Sequence, residues 1–288
     1  MSNNLPIEPD NHPIVESGSA TAMPRGVDIG GAGDAAWNGG VPGAPSGGLG
    51  RYLSTLARLK WWAVLILAAG IGAGVRFPAA STVKLGVLVA ALDRFGPAAE
   101  RSPVAHDLAA LAGWSSNLAA NRLVRLLGGG DERRGVTVVE ERLRRLGATA
   151  STYPGAYRAG TARTLVPPAT GRVTTARDLG RVLATLHAAA GGAAAAAARA
   201  GLTGREARLA LRLLLAGERS GDNAGILGIP ASLPAAQKHG WTSSTRHSAA
   251  LLYPREGPVV VVVLTYRPGL EASAARRLGA RVARLALG

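Results

Sequence analysis

Apolar residues recur at helical spacing through the middle of the chain. Between residues 85 and 217 they fall three or four positions apart, which is the period of helices that bury one face. Thr175, followed three residues later by Asp178, predicts a capping box at the start of one such helix. The alanine- and glycine-rich tract 188–200 is compatible with either helix or loop. The predicted apolar faces are Val87, Leu88, Ala91 and Leu92; Ala119, Ala120, Leu123, Val124 and Leu127; and Leu179, Val182, Leu183 and Leu186.

The period changes near the C-terminal end. Two runs of β-branched and apolar residues, Ser248–Tyr253 and Val259–Tyr266, flank the loop 254–258, which predicts a β-hairpin. A final amphipathic helix follows this hairpin. Its predicted apolar side is Leu278, Val282 and Leu285, and its predicted polar side is Arg277, Arg281 and Arg284.

Two segments precede the helical part. Residues 1–50 are rich in Gly, Pro, Ser and Asn, so we expect a disordered tail. The apolar run Trp61–Val75 is shorter than the roughly 20 residues of a membrane-spanning helix, which favours a buried strand and a glycine turn over a membrane anchor. Its three glycines are similar to a dinucleotide fingerprint. Pro78 follows where the phosphate-binding helix would continue, which disfavours a nucleotide site.

Strands near Trp61 and near the C-terminus have to pair across the helical middle. This order predicts an α+β protein: an α/β/α sandwich around an antiparallel sheet, with an all-helical lobe of about residues 85–217 inserted between the N- and C-terminal parts of the sheet. We expect one domain over residues 51–288, with the functional site in the cleft between its two parts.

Composition narrows the chemistry. The chain has 288 residues, 47% of them hydrophobic, and a net charge of +15. The absence of cysteine excludes a disulfide framework, a thiol nucleophile and a cysteine-ligated zinc site. The five histidines show no ligand spacing, so no metal site is expected. Of 33 basic residues only Lys60, Lys84 and Lys238 are lysines, and an amine, unlike a guanidinium, is able to lose its proton when buried.

One pattern with specific chemistry is Ser-x-x-Lys, formed by Ser81 and Lys84 where a loop passes into a helix. A spacing of three residues places the hydroxyl and the amine on one face of a helical turn. A serine hydroxyl is a weak nucleophile, and a neighbouring amine with a lowered pKa is able to accept its proton. The alternative interpretation is a capping serine followed by a solvated lysine.

Two further patterns follow along the chain. The segment 115–117, Ser-Ser-Asn, begins a predicted helix, and the segment 238–240, Lys-His-Gly, lies just before the C-terminal strands. Ser-x-x-Lys, Ser-x-Asn and Lys-x-Gly occur in this order in penicillin-recognising serine enzymes. Two of the three lysines stand at the two motif positions that need one.

With these motifs, the sequence resembles the class A β-lactamases and related serine hydrolases over residues 51–288. Segments 77–84, 115–127 and 174–186 are similar to the family's nucleophile segment, its second-motif helix and the helix after its Ω loop. Residues 221–230 are similar to the segment that leads into the third motif. The resemblance implies a β-lactamase/transpeptidase-like fold and no cofactor.

The resemblance also implies a role for each motif residue. Ser81 would attack a carbonyl and become acylated with Lys84 as its proton partner, and Ser115 would relay a proton toward the leaving nitrogen. The backbone N–H groups of Ser81 and Trp241 would form an oxyanion hole. The implied substrate-binding residues are Asn117, Lys238, His239, Gly240, Trp241 and Arg246.

The chain departs from the class A pattern around these motifs. Ser116 replaces the usual Asp, and the spacing from Ser81 to Ser115 is shorter than usual. His239 replaces the usual Thr or Ser, and spacing leaves open whether it is a core histidine, a substrate donor or an exposed ring. Arg246 is similar to a carboxylate-binding arginine of some members, with a surface ion pair as its alternative.

The most consequential departure concerns deacylation. Class A β-lactamases hydrolyse the acyl-enzyme with a water that an Ω-loop glutamate activates, yet residues 142–177 contain no Asp or Glu. The expected loop, residues 151–172, offers hydroxyls and arginines, none of which is a good general base near pH 7. We therefore expect acylation of Ser81 with slow hydrolysis of the acyl-enzyme.

The leading hypothesis is thus a serine hydrolase that acts on β-lactams or related amide and peptide substrates of the cell-wall type. The alternative is a non-catalytic binding or structural relative. A polyanion binder that uses arginine-rich faces such as residues 142–145 is disfavoured against a solvated helix surface, so no nucleic-acid partner is expected. We expect a monomer without a membrane anchor. The resemblance implies work outside the cytoplasmic membrane, although no secretory signal is visible at Met1.

Overall fold

The computed structural model describes residues 73–96, 98–157, 171–217 and 224–288. The predicted tail 1–50, residues 61–72 of the strand and turn expected over Trp61–Val75, the loop residues 158–170 and the pair Gly221-Asp222 lie outside the described residues. The remaining residues of that expected element, 73–75, form no strand, and Val75 is exposed. The elements in chain order are β1 (Phe77–Pro78), α1 (Lys84–Phe95), a 3₁₀ turn (Ala99–Arg101), α2 (Ala105–Gly113), α3 (Asn117–Leu127), α4 (Glu132–Arg145), β2 (Val173–Thr174), α5 (Ala176–Ala190), α6 (Ala194–Ala200), α7 (Gly204–Leu215), β3 (Ala235–Trp241), β4 (Thr245–Leu252), β5 (Val259–Tyr266) and α8 (Ala272–Leu287).

Three strands near the C-terminus form an antiparallel sheet in the order β3-β4-β5. The register pairs Gly240 of β3 with His247 of β4, and Leu252 of β4 with Val259 of β5. Five consecutive valines make up most of β5, and their branched Cβ atoms favour extended backbone. The predicted hairpin over residues 248–266 is therefore confirmed.

Helices cover both faces of this sheet. Successive side chains of a strand point to opposite faces. Val261 belongs to a buried cluster with Ala275 and Ala283 of α8. On the other face a Cβ at Gly180 of α5 would lie 3.9 Å from a methyl group of Val260, and α7 packs against β3. The arrangement is the predicted α/β/α sandwich, and the predicted fold class is confirmed.

The centre of the helical lobe is α1. Every residue from Lys84 to Leu92 is buried, so this helix is enclosed on all sides and not only on the one face that its period predicted. Gly86 allows α4 to approach, because a Cβ there would lie 2.7 Å from Cγ of Leu143. The predicted apolar faces of α3 and α5 are buried as expected.

The helix caps differ in part from expectation. Thr175 accepts a hydrogen bond from the Asp178 N–H at 3.0 Å, which confirms the cap of α5. The Asp178 carboxylate bonds instead to Ala150 N and the Ser151 hydroxyl, each at 2.8 Å, so the capping box is only half formed. A complete capping box begins α7 at Thr203. The ambiguous tract 188–200 contains the end of α5 and all of α6.

The last helix buries only part of the predicted face: Val282 packs against the buried cluster of the sheet. Leu278 and Leu285, expected on the apolar side, are exposed. A Cβ at Gly279 would meet the Ile226 carbonyl oxygen at 2.1 Å, so the helix backbone lies too close to its neighbour for a large side chain. Small residues form the buried stripe, and these are Ala275, Gly279 and Ala283.

Within the described ranges, none of the helices combines the length and the apolar character that a membrane crossing requires.

Candidate active site

Lys84 begins α1 and is completely buried, which excludes the interpretation of a solvated lysine. Its Nζ atom donates to the Ser115 carbonyl oxygen at 2.5 Å and to Oδ1 of Asn117 at 2.6 Å. Burial, reinforced by the positive charges of Lys238 and Arg172, lowers the pKa of Lys84 to about 6. The amine is therefore mostly neutral at pH 7. A neutral amine has two N–H groups, and both have acceptors here, which leaves its lone pair to accept a proton.

Ser81 lies in the turn that leads into α1. Its carbonyl oxygen accepts a hydrogen bond from the Lys84 N–H at 3.2 Å. The N-cap position of α1 belongs to Val83 and has no side-chain hydrogen bond, so Ser81 does not cap the helix. The alternative interpretation is therefore wrong on both points: Ser81 does not cap the helix, and Lys84 is not solvated.

Ser115 lies between the two buried lysines. Its Oγ accepts a hydrogen bond from Nζ of Lys238 at 2.7 Å and lies 3.5 Å from Nζ of Lys84. The next residue, Ser116, stands where the family usually has Asp. Its hydroxyl caps α3 by accepting a hydrogen bond from the Ala119 N–H at 3.1 Å.

Backbone strain is concentrated at this site. Ser115 has φ +63° and Ala80, next to Ser81, has φ +49°. In the described ranges these are the non-glycine residues with positive φ. Each such conformation costs about 1–3 kcal/mol and persists where surrounding contacts hold it.

The third motif lies on β3, against the turn that carries Ser81. Lys238 is completely buried, and burial lowers its pKa to about 7. Its Nζ donates to Ser115 and to the His239 carbonyl oxygen at 3.1 Å. A Cβ at Gly240 would lie 2.8 Å from the Ser81 nitrogen, so only a glycine allows this approach of strand and turn. Trp241 follows and is 48% exposed.

Three predicted binding residues lie on the opposite face of β3 and β4 from Lys238. Strand alternation directs His239, Trp241 and Arg246 toward α8. His239 and Arg246 line a crevice there together with Arg276 of α8. Burial, with the charges of Lys238 and Lys84, lowers the pKa of His239 to about 3, so this ring is neutral. The structure thus joins Lys84, Ser115, Asn117 and Lys238 by hydrogen bonds and places Gly240 against the Ser81 backbone. The other three residues lie on the opposite face of the sheet, where His239 is still close enough for the charges of both lysines to lower its pKa.

Arg246 is held by its own hairpin. Its guanidinium donates to the carbonyl oxygens of Thr242 and Thr245, the latter at 2.9 Å. It also lies 5.9 Å from the ring centroid of Trp241. These contacts orient the guanidinium at the rim of the sheet.

Sequence reasoning gave no role to Tyr157, which lies at the centre of the site. The Lys84 Nζ atom is 4.3 Å from the centroid of its ring. The Tyr157 hydroxyl donates to the Ala80 carbonyl oxygen at 3.0 Å. The side chain of Asn121 holds the Tyr157 backbone on both sides, accepting from its N–H and donating to its carbonyl, each at 2.8 Å. Burial raises the pKa of Tyr157 well above its usual value of 10.

Two carboxylates of α4 bond to the backbone of the described part of the expected Ω loop. Glu140 accepts from the Tyr153 N–H at 3.0 Å, and Glu132 accepts from the Ala156 N–H at 3.2 Å. Arg172 donates to the Ala156 carbonyl oxygen at 2.6 Å and lies 3.9 Å from the ring centroid of Tyr157. The charged groups that shift the pKa of Lys84 are cations, so the site is electropositive.

His247 on β4 fixes the entry to this turn and was also missed by sequence reasoning. One ring nitrogen lies 2.7 Å from the Pro78 carbonyl oxygen, and the other accepts from the Thr265 N–H at 3.1 Å. Burial lowers its pKa to about 4. A neutral ring with its proton on Nε2 satisfies both contacts. The described residues contain no group of side chains suited to holding a metal ion.

A sheet packed between helices, with a serine and two buried lysines gathered beside a helical lobe, is the arrangement expected for penicillin-recognising serine hydrolases. A family model described as the β-lactamase enzyme family matches residues 97–288. The chain belongs to this family, and with it to the penicillin-recognising serine hydrolase superfamily. A sequence comparison with curated proteins gives no match.

Solved structures agree in fold. A β-lactamase from Xanthomonas campestris pv. campestris is 22% identical, with a TM-score of 0.58 over 75% of this chain and 86% of its own. A β-lactamase from Sphaerobacter thermophilus is 19% identical, with a TM-score of 0.55 over 75% of this chain and 84% of its own. A mutant of PBP-A, solved as an acyl-enzyme complex with penicillin G, is 17% identical, with a TM-score of 0.55 over 74% and 83% of the two chains.

Proposed function

We propose that this protein is an acyl-transfer serine hydrolase in which Ser81 forms an acyl-enzyme with β-lactams or related amide and peptide substrates. The observation that carries the proposal is the convergence of two fully buried lysines on the hydroxyl of Ser115, beside the turn that holds Ser81. Burying two amines is costly, and structural packing alone gives no reason to place them together.

The proposed acylation step follows from the protonation states. The Ser81 hydroxyl attacks the substrate carbonyl carbon as its proton passes to the neutral amine of Lys84. The backbone N–H groups of Ser81 and Trp241 stabilise the resulting oxyanion. Removing one oxyanion donor from an enzyme lowers its rate by about 10²–10³-fold. When the carbon–nitrogen bond breaks, Ser115 donates its proton to the leaving nitrogen and regains one from a neighbouring lysine.

The electropositive site favours an anionic substrate. Lys238 supplies positive potential beside Ser115 whenever its amine is protonated, and its pKa of about 7 leaves a substantial protonated fraction at neutral pH. Asn117 already accepts from Lys84 through Oδ1, so its amide nitrogen is the group left for a substrate carbonyl. His239 and Arg246 line one crevice together with Gly240 of the third motif, and there they bind the part of a substrate that extends along β3 toward α8.

Deacylation is proposed to be slow. Three carboxylates contact the described loop, and each accepts a hydrogen bond from it: Glu132 and Glu140 from loop backbone N–H groups, and Asp178 from the Ser151 hydroxyl. Tyr157 lies beside Lys84 with a raised pKa, so its hydroxyl keeps its proton and does not act as a base near pH 7. A water at the acyl-enzyme therefore lacks the carboxylate that activates it in class A β-lactamases.

The test is covalent labelling with a fluorescent penicillin. We expect the protein to become labelled and to keep the label after the free reagent is removed. Ser81→Ala should abolish labelling, and Lys84→Met should slow it strongly while leaving the fold intact by circular dichroism. Absence of labelling in the unaltered protein by every acylating β-lactam tried would overturn the proposal, as would equal labelling of Ser81→Ala.

A further inference from the structure

We infer that Tyr157 is a positioning residue for the acylation step: its hydroxyl orients the peptide group that carries the Ser81 N–H, and its ring keeps water from the Lys84 amine. The inference rests on the proposed function, because it assigns Tyr157 a part in a reaction of Ser81.

The planarity of the peptide bond links the Tyr157 hydroxyl to the direction of the Ser81 N–H. The carbonyl of Ala80 and the N–H of Ser81 belong to one peptide group, so a bond that holds the first also fixes the direction of the second. Tyr157 donates to that carbonyl at 3.0 Å. The Ser81 N–H is the proposed oxyanion donor, and such a donor works only when it already points at the developing charge.

This peptide group needs support. Ala80 has φ +49°, a conformation that a residue with a Cβ rarely adopts unless contacts hold it there. Gly240 packs against the same turn: a Cβ on Gly240 would lie 3.1 Å from the Ala80 Cβ. The hydrogen bond from Tyr157 therefore holds a strained turn in the orientation that the proposed reaction requires.

The Tyr157 ring affects the protonation of Lys84. The amine has two acceptors, the Ser115 carbonyl and Asn117 Oδ1, and the Tyr157 ring covers a further side at 4.3 Å. Burial is the largest cause of the lowered pKa of Lys84. Removing the ring admits water, which stabilises the ammonium and raises that pKa.

Tyr157 is itself firmly held. Asn121 of α3 bonds to its backbone N–H and carbonyl, and Arg172 lies against its ring. Its hydroxyl stays protonated at neutral pH because burial raises its pKa, so it remains a donor to Ala80. A side chain held on its backbone, ring and hydroxyl has the fixed orientation that a positioning residue needs.

The experiment compares acylation rates by a fluorescent penicillin across pH 5–9 in the unaltered protein and in Tyr157→Phe, Tyr157→Leu and Tyr153→Phe. Tyr153→Phe is the matched control. Tyr153 lies in the same loop, its ring contacts Tyr157 at 5.9 Å between centroids, and among the described residues its buried hydroxyl has no hydrogen-bond partner.

We expect Tyr157→Phe to acylate about tenfold more slowly with an unchanged pH midpoint, because only the bond to Ala80 is lost. Tyr157→Leu should also shift the midpoint upward, since Lys84 regains water. Tyr153→Phe should match the unaltered protein. Thermal unfolding midpoints of all four proteins identify any variant that fails to fold. If Tyr157→Leu does not fold, the acylation rate of Tyr157→Phe alone tests the inference.

The outcomes separate this inference from the proposed function. If the unaltered protein is never acylated, the proposed function and this inference both fail. If it is acylated and Tyr157→Phe reacts at the rate of Tyr153→Phe, the role of the hydroxyl is overturned while the proposed function stands. An unshifted pH midpoint in folded Tyr157→Leu overturns the role of the ring. If Tyr153→Phe loses as much acylation rate as the Tyr157 variants, both roles are overturned, because the loss is then a general packing effect.

Discussion

Gly240 of β3 lies directly against the backbone nitrogen of Ser81: a Cβ on Gly240 would come within 2.8 Å of it. The edge of the sheet and the turn before α1 therefore meet through backbone atoms, without an intervening side chain. This contact sets the distance between the two N–H groups, of Ser81 and Trp241, that the proposed mechanism uses as oxyanion donors.

Gly240→Ala should lower the acylation rate about tenfold or more. The added methyl group pushes β3 away from the turn, so the two donors no longer converge on one oxygen. The measurement is the rate of fluorescent penicillin labelling. Gly113→Ala is a suitable control, because a Cβ at Gly113 would have nothing within 4 Å. Equal rates in both variants would contradict the importance of this contact.

At a saturating concentration of penicillin, where loss of the Lys238 charge above pH 7 does not limit binding, the acylation rate should rise with pH through about 6 and then level off. Burial lowers the pKa of Lys84 to about 6, and only the neutral amine accepts the Ser81 proton. Below that pH the ammonium predominates and the rate should fall about tenfold per pH unit. A profile with its midpoint near the ordinary lysine value of 10.5 would show that Lys84 is not the base in its buried state.

Protein stability should increase between pH 7 and pH 9. In the unfolded chain both lysines bind a proton below their ordinary pKa of 10.5, whereas in the folded protein they do so only below about 6 for Lys84 and about 7 for Lys238. The unfolded state thus binds more protons in this window, and the free energy of unfolding rises by up to about 1.4 kcal/mol per pH unit for each lysine. Urea unfolding at several pH values measures the slope. Lys84→Met should reduce it by about half, and an unchanged slope would argue against a buried neutral Lys84.

Tyr157→Glu should shorten the lifetime of the penicillin adduct. The backbone of residue 157 is held by Asn121, so the new carboxylate would stand near Lys84 and the acylated Ser81. A general base contributes about 10²–10⁴ in favourable geometry, and we expect about tenfold here because Arg172 lies close and lowers the basicity of the carboxylate. Tyr157→Gln is the matched control without a charge. Equal lifetimes for the Glu and Gln variants would contradict the view that a missing base limits deacylation.

The three motifs were visible in the sequence because each is short and lies at the start or within one element. Ser81 and Lys84 share the turn into α1, and Lys238 and Gly240 share β3. The apolar faces of α3 and α5 were equally accessible, since a period of three to four residues depends only on local geometry.

Other features depend on contacts between distant segments. Tyr157 is held by Asn121, 36 positions earlier, and no local pattern relates the two residues. The buried face of α8 is set by the close approach of Ile226 to Gly279. The sequence pattern of the helix gives no sign of this contact, because its larger apolar side chains dominate the pattern. Strand alternation, by contrast, did carry a usable signal: adjacent residues of one strand, such as Lys238 and His239, face opposite sides of the sheet.

The most direct test of the account is the mass of the intact protein after incubation with penicillin G, followed by peptide mapping. The account predicts a mass increase equal to one complete penicillin molecule, located on the peptide that contains Ser81 and persisting long after the free drug is removed. An adduct on any other residue, or no adduct together with rapid destruction of penicillin, would contradict it.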